Sequence, residues 1–333
     1  MDLSTSYLGF TLAHPLVPGA SPLADDLDTV RRLEEAGAPA IVLRSLFEEQ
    51  INDEAYRQVQ DVEAAEETFS EALSYYPRRE EYRLSGIDRY LEQVQRIKEA
   101  VDIPVIASLN GSTLGGWVEY ARNLEEAGAD ALELNVYFLS TDPLETAEMV
   151  EQRVVEILRA VKAGITIPVA VKLSPFFSSL PHLAARLESA GAAGLVIFNR
   201  FLQPDIDIEK LDVIPRHTLS QEQELLLRLR WLAILSGRVD LSLACTGGVH
   251  SATAAIKAVM CGAHVVQLVS ILLRNGPERL RTMRQEVAAW LEEHEYESLA
   301  QMRGSMSLEH SPDPAAFERG NYIRIIQGGA KYV

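Results

Sequence analysis

The chain has 333 residues, is 47% hydrophobic and carries a formal net charge of −17. That length suits one elaborated α/β barrel as well as two domains, while the acidity speaks against nucleic acid and anionic membranes as partners, both of which need a basic face. No apolar run approaches the roughly 20 residues of a membrane span, and MDLSTSYLGF is not a basic, apolar leader, so a soluble cytoplasmic enzyme is expected.

The first predicted strand is LVPGAS, ending in Ala20 and Ser21, followed by an amphipathic stretch over Asp25–Ala36. EEAGAPAIVLRS (Glu34–Ser45) then reads as a helix end, a capping glycine and a second strand. An insertion over about 46–86 follows, acidic at first and then rich in tyrosine and arginine (SYYPRREEYRLSG). Beyond it, helices are predicted over Ile87–Ala100, Leu114–Ala127, Thr146–Lys162 and Ser178–Ser189. Strands fall between them in DIPVIASLN (Asp102–Asn110), EEAGADALELNV (Glu125–Val136), TIPVAVKL (Thr166–Leu173) and ESAGAAGLVIFN (Glu188–Asn199). A second insertion over about 200–237 begins FLQPDIDIEKLDV and continues as a helical run. LSLACTGG, a helix over Ser251–Met260, a strand ending near Ser270 (CGAHVVQLVS), a helix over Pro277–Glu293 and an extension over about 295–333 complete the chain.

Alternating strands and helices imply a parallel sheet, and eight such units favour closure into a (β/α)8 barrel spanning 1–333 as one domain. No GxGxxG follows the first strand, which removes the usual dinucleotide fingerprint of a doubly wound sheet. In barrels the chemistry sits at the C-terminal strand ends. Here those ends turn polar: Ala20-Ser21, Arg44-Ser45, Asn110, Asn135, Lys172, Asn199 and Thr246. Each alone could be a cap or a turn residue; together they point at one mouth.

Gly247 and Gly248, after the seventh strand, let backbone N–H groups approach an anion, and the loops after strands seven and eight are the usual phosphate site of a barrel. Lys172 in an apolar mouth calls for an anion or for chemistry. It could form a Schiff base on a phosphorylated substrate or hold an electron-rich ring. Glu133 shares the inward parity of Asn135 on the neighbouring strand, so a plain buried ion pair with Lys172 is the structural alternative. The histidines are scattered, with loop or packing roles for His14, His250 and His264, so no metal site is expected. Cys245 and Cys261 read as core thiols, and two are too few for an iron–sulfur cluster.

Taken in order, HPLVPGAS, ADALELN, VAVKLSP, LVIFNR, TGGV and VVQLVS resemble the FMN-dependent dihydroorotate dehydrogenases, in particular their soluble relatives, over nearly the whole chain. The resemblance implies FMN across the barrel mouth, a CH–CH oxidoreductase converting dihydroorotate to orotate in pyrimidine biosynthesis, and a homodimer. It places Ala20, Ser21, Ser45 and Asn110 around the flavin, with Arg44 approaching the ring on the substrate side. Asn135 would contact flavin and substrate, Asn199 a substrate carboxylate or carbonyl, and Lys172 the pyrimidine edge of the flavin. Thr246, Gly247, Gly248 and the backbone of Val269 and Ser270 would form the phosphate end. Three departures stand out. Arg44 occupies a lysine position, and Val269 stands where a glycine is usual. The base-bearing loop reads Asn135-Val136-Tyr137-Phe138-Leu139-Ser140 with no cysteine, leaving Ser140 as the candidate base. A flavin-binding protein without catalysis is the remaining reading.

Overall fold

Each recurrence of the alanine–glycine phrase ends a helix. Ala36 caps the helix, Gly37 follows at φ +96°, and the N–H of Ala38 reaches back to the carbonyl of Leu33 at 2.9 Å. That left-handed position is open to glycine at no steric cost, and the bonds satisfy carbonyls that the helix leaves unpaired. The same closure recurs at Gly128, Gly191 and Gly262. The chain is thereby turned into the next strand at four places.

The computed structural model describes residues 1–48, 86–111, 113–200, 203–215 and 218–327. Most of the first insertion, including SYYPRREEYR, lies outside the described residues. The strands are β1 Thr5–Tyr7, β2 Phe10–Leu12, β3 Leu16–Pro18, β4 Ile41–Phe47, β5 Val105–Asn110, β6 Ala131–Asn135, β7 Val169–Leu173, β8 Gly194–Ile197, β9 Pro204–Asp207, β10 Asp212–Pro215, β11 Ser242–Thr246 and β12 Val265–Leu268. The helices that pack outside them are α1 Leu27–Glu35, α2 Gly86–Ala100, α3 Leu114–Glu126, α4 Ala147–Lys162, α5 Leu180–Ser189, α6 Leu225–Leu235, α7 Ala252–Met260, α8 Ser270–Asn275 and α9 Arg279–Glu293; α10 Leu299–Met302 and α11 Arg319–Gln327 lie in the C-terminal extension.

Eight strands form one parallel sheet in the order β3-β12-β11-β8-β7-β6-β5-β4, and β3 packs beside β4 to bring the sheet round on itself. This is the expected (β/α)8 barrel. The antiparallel β1–β2 hairpin caps its N-terminal end: Tyr7, Leu8 and Leu12 pack with the inward residues Val17, Val42, Ile106, Ala131, Ala170, Val196, Ala244 and Val265. One step up each strand, the period of two brings Ser108, Glu133, Lys172 and Gln267 inward. An apolar floor thus carries a polar layer beneath the C-terminal mouth.

Several boundaries differ from expectation by a residue or two. The eighth strand stops at Leu268, because Val269 leaves the β region (φ −127°, ψ −72°) and Ser270 already opens α8. The predicted helix over Asp25–Ala36 begins later, at Leu27, where the Asp26 carboxylate accepts the N–H of Thr29 as a cap. The second insertion contains the β9–β10 hairpin and then α6, the expected helical run.

Candidate active site

The second strand decides which of its polar residues faces the mouth. β4 pairs Val42 with Ile106 and then resumes at Ser45 with Ser108, so its register slips between them. Plain alternation from Val42 would turn Arg44 inward. The irregularity instead turns Ser45 in, with its Oγ 2.7 Å from that of Ser108. Arg44 is left exposed, its Nε 3.3 Å from Asp25 Oδ1.

From Ser45 a polar chain crosses the barrel. Asn135 Nδ2 donates to Ser45 Oγ at 3.1 Å, and Asn199 Nδ2 donates to Asn135 Oδ1. Both carboxamides are therefore held by neighbours before any substrate arrives, which fixes their orientation at little further entropic cost.

Beneath them lies a charged cluster. Lys172 Nζ donates to Glu133 Oε1 at 3.0 Å, and Gln267 Nε2 donates to Glu133 Oε2 at 2.7 Å. Glu133 is fully buried and Lys172 is 7% exposed, so the pair lies in low dielectric. Among the described residues Gln267 Oε1 has no hydrogen-bond partner. Burial, reinforced by the Glu133 charge, pushes the Tyr7 phenol well above its ordinary value.

The far end is built on Thr246-Gly247-Gly248. Gly247 has φ +91° and Gly248 φ +79°, conformations that favour glycine. A Cβ on Gly247 would stand 2.9 Å from Arg228 Nη2, and one on Gly248 only 2.4 Å from the backbone nitrogen of Leu225. Facing them, Ser270 Oγ accepts from the N–H of Ser220 at 3.0 Å and from its hydroxyl at 2.8 Å; His250 Nε2 lies 3.3 Å from the same hydroxyl. Val269 turns its side chain toward the first strand, where a Cβ on Gly19 would meet it at 2.9 Å. Glycine at 19 makes room for that valine.

One open cleft joins these parts. Ala20, Ser21, Lys172, Asn199, Thr246, Gly247, Gly248, Val269 and Ser270 all line it, as the strand ends suggest. Asn135 and Ser45 adjoin it through Asn199. Asn110 is buried at the end of β5, outside the lining. Ser140 is exposed and lines a neighbouring cleft with Phe138, Glu145, Ser174 and Phe177. Sequence reasoning missed Phe198, Arg200, Ser220 and Gln267 in the lining, and Arg228 behind it. Gln267 had a signal in its strand parity with Val265; Arg228 had one as a cation in the apolar run LLLRLRWLAIL.

The cysteines take no part in this chemistry. Both are buried, and burial pushes the Cys245 thiol up to about 12 and the Cys261 thiol up to about 11. Among the described residues no group of histidine, cysteine and carboxylate could hold a metal ion, and no helix is long and apolar enough to cross a membrane.

An α/β barrel with a lysine, carboxamides and a glycine turn gathered at its C-terminal mouth is the framework of a barrel enzyme. A model of the dihydroorotate dehydrogenase family matches residues 83–291, more than half of the chain. The chain belongs to that family, whose members are flavin-dependent oxidoreductases acting on CH–CH groups. It is 26% identical over 315 residues to a dihydroorotate dehydrogenase B (NAD(+)) catalytic subunit of Thermoplasma acidophilum, covering 91% of this chain and 98% of that one. A protein of the same description from Thermoplasma volcanium is 25% identical over 316 residues, again 91% and 98%. A dihydroorotate dehydrogenase A (fumarate) of Lactobacillus delbrueckii is 28% identical over 192 residues, 56% of this chain and 62% of that one.

Proposed function

We propose that the cleft binds FMN and that the protein, one FMN-binding domain across 1–333, oxidises dihydroorotate or a closely related cyclic amide acid to its unsaturated form. The observation that carries the reading is the joining, in one cleft, of Lys172 with the Thr246–Gly248 turn and Val269-Ser270. The donor set fits the group: a cation for the electron-rich end of a ring, a glycine turn whose backbone a phosphate can approach, and the buried Gln267 Oε1, without a hydrogen-bond partner among the described residues, as an acceptor beside the cleft. When bound, FMN supplies the hydride acceptor of the reaction.

In this reading Lys172, hydrogen-bonded to Glu133, places a cation where negative charge develops on reduction. With its Nζ engaged by Glu133, Lys172 is not presented to a carbonyl as a Schiff-base-forming amine would be. Asn135 and Asn199 hold the carboxylate or carbonyl of the substrate, and Ala20, Ser21 and Ser45 shape the wall on which the ring rests. Asn110 supports that wall from the next strand, whereas Arg44, turned out toward Asp25, stands apart from the cleft. Ser140 takes the substrate proton once its loop closes from the neighbouring cleft. A homodimer and a cytoplasmic site of action follow from the family likeness. The exposed Ile206, Ile208, Leu211 and Val213 of the β9–β10 hairpin are the apolar surface such a dimer would cover.

The test is the visible spectrum of the purified protein under anaerobic conditions. A flavin absorption that dihydroorotate bleaches is expected. A colourless protein that also fails to take up FMN would overturn the reading; a yellow protein that dihydroorotate and its relatives leave unbleached would identify a flavin binder without this catalysis. Ser140→Ala should slow bleaching by about 10²-fold or more if Ser140 is the base, and an unchanged rate would remove it from that role.

A further inference from the structure

The turn of Thr246, Gly247 and Gly248 is backed by one guanidinium group, and a second arginine lines the same cleft. Arg228, 5% exposed on α6, donates from Nε to Thr246 O at 2.9 Å and from Nη1 to Glu224 O at 2.6 Å. Its Nη2 is the atom that a side chain at 247 would strike, so the group lies directly against the turn. Among the described residues the carboxylate that pairs with it, Glu224, is 3.7 Å away, an ion pair longer than a hydrogen bond. On the open side, Arg200 lines the cleft with the same three residues. Its Nη2 donates to Thr218 Oγ1 at 3.2 Å, and no carboxylate among the described residues pairs with it.

Two cations beside one cleft repel each other unless an anion sits between or beside them. Burial lowers the Arg228 pKa, Glu224 works against that, and the nearby charge of Arg200 lowers it again. The two groups therefore feel one another, and an anion in the cleft would relieve the repulsion. A guanidinium supplies paired donors in the fork that suits phosphate.

We propose that Arg200 is a direct phosphate ligand in this cleft, and that Arg228 is a positioning residue that fixes the Thr246–Gly248 turn from behind. Together they make the site select a phosphorylated flavin over the bare ring. The proposal rests on the FMN reading above and extends it to residues outside the strand-end set.

The test titrates flavin-free protein with FMN and with riboflavin, following flavin fluorescence at two salt concentrations. The wild-type protein should prefer FMN. Arg200→Gln should weaken FMN binding at least about tenfold, with riboflavin affinity within about twofold and a shallower salt dependence. Arg228→Lys should weaken FMN less than Arg228→Met, because it retains the charge but not the fork. If Arg228→Met does not fold, Arg200→Gln and Arg228→Lys still decide. An unchanged FMN-to-riboflavin ratio in Arg200→Gln overturns the proposal while leaving the flavin reading intact, as does a wild-type protein that binds both flavins equally. A wild-type protein that binds neither would instead sink the flavin reading itself.

Discussion

Lys172 and Glu133 have to be considered as one unit. Removing the lysine leaves a fully buried carboxylate with Gln267 as its remaining donor, and unpairing such a charge costs about 3–5 kcal/mol. Lys172→Met should therefore lower stability by that order in urea unfolding. The double variant Lys172→Met/Glu133→Gln should regain most of the loss, yet remain slow in flavin reduction. Stability and catalysis are thereby separated at one site. The pair was legible in the sequence, since period-two alternation places Glu133 and Lys172 inward on adjacent strands. Arg44 was not, because the slip in β4 between Val42 and Ser45 leaves no mark in residue type. Ser140 lies on a loop, where no periodicity says which way a hydroxyl points.

At the scale of elements, the phosphate end is a fit between the β11 turn and α6. Gly247→Ala forces a left-handed conformation on an L-residue, a cost of roughly 1–2 kcal/mol, and meets the movable end of Arg228. Gly248→Ala meets the Leu225 backbone at 2.4 Å, which cannot give way without shifting the start of α6. The expected order of urea midpoints is wild type, then Gly247→Ala, then Gly248→Ala. A second fit joins β3 to the end of β12. Gly19→Ala should overpack against Val269 and Gln267, costing about 1–3 kcal/mol, and Val269→Ala in the same chain should restore much of it. Neither contact is written in local sequence, because the partners lie about 20 and 250 residues apart in the chain. What sequence did carry at this scale is the helix-ending glycine, whose requirement is local. The DIDI stretch of the second insertion alternates as a strand should, but Ile206 in β9 and Ile208 just beyond it are exposed, the reverse of the pattern that usually marks a strand.

Over the whole molecule, two buried histidines set an acid limit. His14 Nδ1 accepts the N–H of Leu16 and its Nε2 bonds to Gly37 O, while His264 Nδ1 accepts the N–H of Leu243. Each ring thus ties a loop to a barrel strand in its neutral form. Burial holds both well down, at about 4, against 6.5 when unfolded. Between those values the unfolded chain binds more protons than the folded one, so stability falls as pH drops from about 6.5 toward 4. Thermal midpoints should decline across that window, and less steeply in His14→Gln; equal slopes in both proteins would remove His14 from the account. The barrel itself was readable from the eight strand–helix units, whereas closure of its floor by the β1–β2 hairpin was not, since those strands are three residues long. That floor has a kinetic consequence. With Tyr7, Leu8 and Leu12 packed into the N-terminal end, the barrel has no passage through it, and a flavin seated at the mouth is reached from one direction. Reductant and oxidant would then visit the same doorway in turn, each leaving before the other enters. Steady-state rates measured against both substrates should give parallel double-reciprocal lines, and intersecting lines would mean that the two can be bound at once.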